Sequence, residues 1–521
     1  MTNVVNNAPD STGVLKTSHA TSTDINEETP TTSAQLSSDP MVDVEAALKV
    51  EGEPEVNDRL ERLRRDHGST WASTSDLKDP FNWPSRRKFI IGMIFSFGQL
   101  IPIMSASMIA AALGNIAHDL KISASTAQIT LSSYFLGIAF APFLIAAMSE
   151  MYGRKRVWVA CNAWYILWNT LCPVGNSAAL MIVGRVMTGA GASVGVTLNG
   201  PVMADMYGKA ERGRSMAIVT LLPYIGPALG PIIGGLITQY IHWSWIFWIM
   251  SLINTAIVLL GLMFIRETYT PVLLRRKAAK DAGSTIETTT YKTLHTRLGP
   301  HLMRPLRILV QRPIIWPISL LATISFATYS LMLSTYATLW IDKYNQSELI
   351  SSLHYISIAL GSTMAGQIGA HVMDWLYKCL ISRSGGPGIP EFRLPYTLPG
   401  ILLMPAGLLL YGWAAAYTLP WAVVDVGAVV FTLGSFVASQ GVIAYQLDEF
   451  GDYGASAGAA VRMLSYSLAF VLPIIVPHLY GTLGYGWGNS TLALAAFVLG
   501  VPVVVALWLW GGKLRAMGRR P

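Results

Sequence analysis

From residue 89 to residue 511 the chain is a succession of apolar runs separated by short polar stretches. A helix needs about 20 mostly apolar residues to cross the hydrocarbon core of a bilayer. Runs of that length lie near 89–112, 127–148, 157–174, 179–203, 215–240, 244–265, 314–340, 351–374, 395–416, 420–444, 456–480 and 487–511. In hydrocarbon every backbone amide must be satisfied within the protein, so each run is expected to be a helix. The expected fold is an all-α membrane protein of twelve transmembrane helices. Composition agrees, with 52% hydrophobic and 13% charged residues, against about 25% charged in soluble chains.

Basic residues orient the runs, because Lys and Arg favour cytoplasmic loops. With the N-terminus inside, the inner loops carry Arg154, Lys155 and Arg156, then Lys209, Arg212 and Arg214, then ten Lys/Arg between 266 and 312. Lys378, Arg383, Arg393 and four residues of the C-terminal tail follow. The outer loops carry Lys121 and Lys343, an imbalance of 23 to 2. Both termini are therefore expected in the cytoplasm. The sequon Asn345-Gln346-Ser347 then faces outside, where Asn345 would accept a glycan.

The loop 266–313 divides the runs into six and six. This predicts a six-helix half over 86–265, a cytoplasmic linker loop over 266–313, a second six-helix half over 314–511 and a short tail over 512–521. Residues 1–85 hold seven Lys/Arg and fifteen Asp/Glu, leaving the rest of the chain near +15. The first 40 residues are polar and poor in aromatics, so 1–85 reads as a disordered cytoplasmic tail. No apolar segment suited to cleavage follows Met1, so the first span serves as the targeting signal. A faint repeat relates "AAMSEMYGRK" after the second run to "AHVMDWLYK" after the eighth. It pairs Glu150 with Asp374 and Arg154 with Lys378. Two related halves around a midplane site is a transporter arrangement.

Few charges lie inside the runs. Arg185 stands in the fourth, where an arginine costs roughly 2.5–3.5 kcal/mol at the centre of a span. It either snorkels to the outer interface or faces a cavity, biasing a proton site or holding an anionic group. Asp425, five residues past Pro420, is either an interfacial acid or a titrating group for proton coupling. Arg462 either pairs with Asp448 or Glu449 or lines the cavity. Cys161, Cys172 and Cys379 lack metal-ligand spacing and read as packing residues. No metal-ligating cluster, nucleotide loop or nucleophile–base pair stands out, so neither an enzyme nor a cofactor is expected.

Two loop and helix motifs remain. In "SEMYGRKRV" an acid, Glu150, precedes Gly153 and Arg154 at a helix junction, which suits a conformational lock; topology alone needs the bases but not the acid and glycine. In the fifth run, Gly226-Pro227, Gly230-Pro231 and Gly234-Gly235 recur every four residues on one helical face. Glycines there let a neighbouring helix approach closely. Such a surface is either static packing or a smooth seam between two states.

These residues resemble the major facilitator superfamily, in particular its fungal branch of twelve-span drug–proton antiporters, over roughly 79–510. "GPALGPIIGG" is similar to the branch's antiporter motif, "SEMYGRK" to its loop motif and "GRVMTGAGAS" to the span that carries its coupling arginine. "DPFNWPSRRK", "WSWIFW", "RETYTPVLLRRKA", "PEFRLP" and "DEFGDYGASA" add to the likeness. Glu150 and Ala146 depart from the aspartate and glycine usual in the loop motif. The resemblance implies proton-coupled efflux of hydrophobic or amphipathic small molecules by alternating access. The proton gradient would supply the energy, with Arg185 as the coupling arginine; Asp425, from its place in the tenth run, is the second candidate for coupling. Glu150, Gly153, Arg154 and Asp374 would form the lock. Tyr134, Tyr224, Tyr329, Tyr336, Gln367, Tyr466 and Arg462 would line the cavity. Expected partners are the small-molecule substrate, protons and lipid, with the protein a monomer in the plasma membrane and the vacuolar membrane as the alternative. A nutrient symporter of the same fold and a non-transporting membrane sensor are the competing readings.

Overall fold

The computed structural model describes residues 61, 64–65, 70–73, 75–207, 219, 222–223, 225–281, 303–386, 388–451 and 454–518. Most of the expected tail, residues 282–302 of the expected linker, and Tyr224 lie outside these. Six helices come first: α1 (Ser85–Asp119), α2 (Ala124–Tyr152), α3 (Arg154–Leu171), α4 (Ala178–Met206), α5 (Gly226–Tyr240) and α6 (Ser244–Phe264). A polar helix, α7 (Thr270–Asp281), follows. Then come α8 (Ile315–Asp342), α9 (Glu348–Leu353), α10 (Tyr355–Met364), α11 (Ala370–Ser384), α12 (Leu394–Ala416), α13 (Trp421–Phe450) and α14 (Gly454–Met517). No strand occurs among the described residues.

Serines set several starts. Ser123, Ser177 and Ser347 each precede a helix and accept from an amide of its first turn, satisfying one of the donors a helix leaves free there. The long helix α14 is two arms that meet at Gly484, whose φ of 67° breaks the helical path. A residue with a Cβ is strained in that region of backbone space.

Nine helical stretches among the described residues are long and apolar enough to cross a membrane: α1, α2, α4, α6, α8, α12 with the turn before it, α13, and Ser456–Val476 and His478–Met517 of α14. The other three expected spans fall short for separate reasons. Helix α3 has 18 residues that open on Arg154, Lys155 and Arg156 and include Asn162 and Asn169. Helix α5 is described over 15 residues. The eighth run is broken at His354 and again by a π-turn over Ala365–Gly369, so no single piece is long enough.

Two boundaries move. Residues 70–73 and 75–84 are folded, although the expected tail runs to 85. Trp71 and Trp83 are buried, Trp83 donates to Leu77 O, and Lys277 of α7 donates to Thr70 O at 2.6 Å. Two tryptophans in a polar stretch supply the apolar surface that the first 40 residues lack. The expected linker loop is likewise helical over α7, whose Val272 and Leu274 are buried.

The buried side chains fall into separate cores. One runs from Trp83 to Ile265 through α1–α6. Two others are built from residues after Ile308, joined by Ala228 of α5 alone among the earlier fully buried side chains. The two groups of helices meet in the middle through Phe135 of α2 and Tyr466 of α14, whose rings stack at 6.0 Å. They meet again where Asn115 of α1 donates to Glu348 of α9 at 3.3 Å.

Candidate functional site

Arg185 sits two turns into α4 and is fully buried. Its guanidinium lies 4.4 Å from the Tyr134 ring centroid, and Tyr134 in turn donates to Pro102 O at 2.8 Å. None of its three nitrogens has a hydrogen-bond partner among the described residues. Snorkelling would leave the head wet at the interface, so burial removes that reading. A cation over an aromatic face is attracted by the ring quadrupole, an interaction that strengthens when water is excluded. Beside it, Tyr165 of α3 is also buried.

Asp425 is tied down at both oxygens. Tyr336 of α8 donates to Oδ1 at 2.6 Å, and Nδ1 of His354 lies 2.8 Å from Oδ2. The other imidazole nitrogen lies 3.0 Å from Gln346 Oε1. The imidazole stacks on Trp340 at 3.6 Å, with planes 8° apart. Tyr336 therefore belongs to this network. An imidazole between a carboxylate and an amide oxygen donates to both when protonated.

The middle of the bundle holds a run of rings from both groups of helices. Phe326 lies 5.9 Å from Phe135 and 4.5 Å from Tyr466. Tyr329 lies 6.4 Å from Phe326 and 5.3 Å from Phe436. Phe135, Phe326, Phe436 and Tyr466 keep part of their surface exposed. Gln99 and Asn199 hydrogen-bond to each other between α1 and α4. Gln367 is exposed on the π-turn and its carbonyl faces His371. Asp448 and Glu449 are engaged elsewhere, by Arg393 and by Arg312 and Arg515. Arg462 thus pairs with neither.

At the junction of α2 and α3, Gly153 ends α2 with φ 101°. A side chain there would run into the Glu267 carboxylate. Glu267 accepts from the Arg154 amide at 2.7 Å and from the Tyr269 amide at 3.2 Å. The Arg154 guanidinium donates to Ser149, lies 3.5 Å from Asp205 and stacks 4.3 Å from the Tyr269 ring. Burial, and then the charge of Glu150, push the Tyr269 phenol above its ordinary value, so it stays neutral. Asp374 meets Arg393 at 3.3 Å, so Arg393, and not Lys378, stands where the repeat suggests a counterpart of Arg154. With Asp374 65% exposed, that pair contributes little.

A family model described as Major Facilitator Superfamily matches residues 95–473. The chain belongs to that superfamily. As a member it is a multi-pass membrane transporter and not an enzyme. It is 37% identical to the probable efflux pump mfs2 of Aspergillus flavus, over 78% of this chain and 98% of the relative. It is 33% identical to the efflux pump vrtL of Penicillium aethiopicum, over 86% and 90%. The fold matches the xylose transporter XylE of E. coli in a partially occluded inward-open conformation. That match has a TM-score of 0.61 and 14% identity, and covers 82% of this chain and 98% of the other.

For this superfamily member, reading from the sequence missed His354, Asp205 and Glu267. The signals available were an acid at the end of the fourth run and another just past the sixth. Removing Arg154 leaves the half-buried Asp205 carboxylate without its cation, a loss of about 1–3 kcal/mol. Arg154→Ala is therefore expected to lower the melting temperature in detergent by several degrees. Adding Asp205→Asn removes the stranded charge and should recover part of the loss in a double-mutant cycle. A double variant no more stable than Arg154→Ala would show that the two residues do not act as a pair.

Proposed function

We propose that this chain is a proton-coupled efflux transporter. In this reading twelve spans form two six-helix halves, 86–265 and 314–511, with both termini cytoplasmic. It exports hydrophobic or amphipathic small molecules such as drugs, fungicides and secondary metabolites, as a monomer in the plasma membrane and with no resident cofactor. The relatives named as efflux pumps support the direction of transport. One structural observation carries the mechanism: the halves meet centrally on aromatic rings, Phe135 against Phe326 and Tyr466. Ring contacts separate without stranding a buried charge, so the halves can rock about the site. A buried ion pair across that seam would cost several kcal/mol to part.

Proton coupling is assigned to Arg185 and to Asp425 with its partners His354 and Tyr336. The lock at the inner face comprises Glu150, Gly153 and Arg154 with Asp205 and Glu267, and Asp374 with Arg393 is its weaker counterpart. Tyr134, Tyr329, Tyr466 and Arg462 border the substrate path. Asn345, exposed in the loop after α8, is the proposed glycan site.

The test uses inverted vesicles with an acid interior and a panel of labelled hydrophobic compounds. Wild type is expected to accumulate substrate only while the gradient lasts. Asp425→Asn should lower that accumulation by roughly 10-fold, equivalent to about 1.4 kcal/mol, and His354→Gln should lower it by a smaller factor. Gradient-driven uptake into right-side-out cells, with none into inverted vesicles, would overturn export in favour of symport.

A further inference from the structure

The ring cluster where the halves meet is flanked by two cations that have no acidic partner among the described residues. Arg185 stands behind Tyr134 on one side. Arg462 stands one turn before Tyr466 on α14 and shares its helix face. That is the face Tyr466 turns toward Phe135 of the other half. Across the seam, α2 is apolar from Phe135 to Met148, and the next acid along it is Glu150. Helix α8 carries no charge before Asp342. On α13 the facing residue is Gln446, beside the Arg462 guanidinium at Gly458, while Asp448 and Glu449 are held by other arginines. Arg462 is half-buried and its Nε lacks a partner among the described residues.

A guanidinium that is partly withdrawn from water, with a buried Nε lacking a partner among the described residues, is best satisfied by a bidentate anion. Half-buried ring surface lies one turn away. We infer that the transported molecules are aromatic anions, a planar ring system bearing a carboxylate or phenolate. The ring lies among Phe135, Phe326 and Tyr466, and the anionic group meets Arg462. Arg185, shielded by Tyr134, adds positive potential from behind without touching the substrate. Arg462 is then the residue that sets charge specificity. The inference rests on the export reading and narrows its substrate class. Outward movement of an anion against an inward proton moves charge twice in the same sense, so the membrane potential assists both steps.

Equilibrium binding to the full-length protein in phosphatidylcholine nanodiscs tests this without any gradient. Naphthoate, anthracenecarboxylate and pyrenecarboxylate are each compared at neutral pH with the alcohol of the same ring. In at least one pair the carboxylate is expected to bind at least ~10-fold tighter, about 1.4 kcal/mol. Arg462→Ala should bring that ratio within about twofold of unity, a shift of roughly 1 kcal/mol. Arg462→Lys, which keeps the charge and loses the fork, should retain an intermediate ratio. It also serves if the alanine variant does not fold. A wild-type ratio near one, no carboxylate binding at all, or a ratio that survives loss of the Arg462 charge overturns the inference. Failure of the vesicle experiment would strike export and leave this ratio untouched.

Discussion

Arg185→Ala is expected to reduce gradient-driven accumulation in inverted vesicles by roughly 100-fold, about 2.7 kcal/mol, while substrate counterflow without a gradient is largely kept. The reason is where the charge sits. The guanidinium is fully buried, stacked on Tyr134 and without a hydrogen-bond partner among the described residues. It therefore projects its potential through low-dielectric protein, where a unit charge acts over longer distances than in water. Any group that takes up a proton nearby does so against that field, and releases it when the halves rearrange. On the proposed reading, loss of Arg185 removes that bias, and the proton and substrate steps are expected to uncouple. Arg185→Lys keeps the charge but loses the planar stack on Tyr134, so it should fall between wild type and alanine. A purely packing role predicts something else. Its cation–π contact, roughly 0.5–2 kcal/mol, would lower the amount of folded protein and reduce counterflow and driven transport alike. Equal loss in the two assays, per folded molecule, would remove Arg185 from coupling.

Helix positions were legible because a bilayer imposes length and apolarity locally, residue by residue. α1, α2, α4, α6, α8, α12 and α13 each fall on an apolar run visible in the sequence. Breaks within a run were not legible: the turn at His354 and the π-turn at Ala365–Gly369 lie in an apolar segment with no Pro. Partners were the least legible feature. Asp425 raises the same question in the sequence whether or not His354, 71 positions away, lies against it. Arg154 is followed by bases that set topology, and nothing near it points to Asp205 or Glu267. Matching the two halves by local spacing chose Lys378, whereas the fold brings Arg393 to Asp374 through a turn the spacing does not encode. The end of the polar tail was misplaced because average composition hid two anchors, Trp71 and Trp83.

The six glycines and prolines of α5 look equivalent in the sequence, and the structure divides them. Pro227 lies in the first turn, where a missing amide costs nothing, and Pro231 lies in the interior. A side chain at Gly230 would strike Ser107 and, at 2.7 Å, the Met104 carbonyl of α1; one at Gly234 would lie 2.6 Å from the Met108 carbonyl. These contacts are within one half. At Gly235 the obstruction is Ser352 and, at 2.9 Å, the Glu348 carbonyl of α9, in the other half. Gly230→Val and Gly234→Val should therefore force α1 and α5 apart, costing about 1–3 kcal/mol or more of stability as overpacking does, and reduce the amount of folded protein. Gly235→Val should leave the packing of α1 on α5 intact and oppose closure of the seam between α5 and α9, which on the proposed topology shifts the population toward an outward-open state. The measurement is labelling of Ser352→Cys by a membrane-impermeant maleimide, with Cys161, Cys172 and Cys379 replaced by alanine. Ser352 is buried in the closed seam, so opening is what exposes it. Gly235→Val is expected to raise the labelling rate by roughly 10-fold, the effect of about 1.4 kcal/mol on the equilibrium, with melting temperature close to wild type. Gly234→Val should do the reverse, lowering the melting temperature without selective labelling. If Gly235→Val behaves like Gly234→Val in both assays, the stretch is static packing throughout, and α5 has no part in closing the outer side.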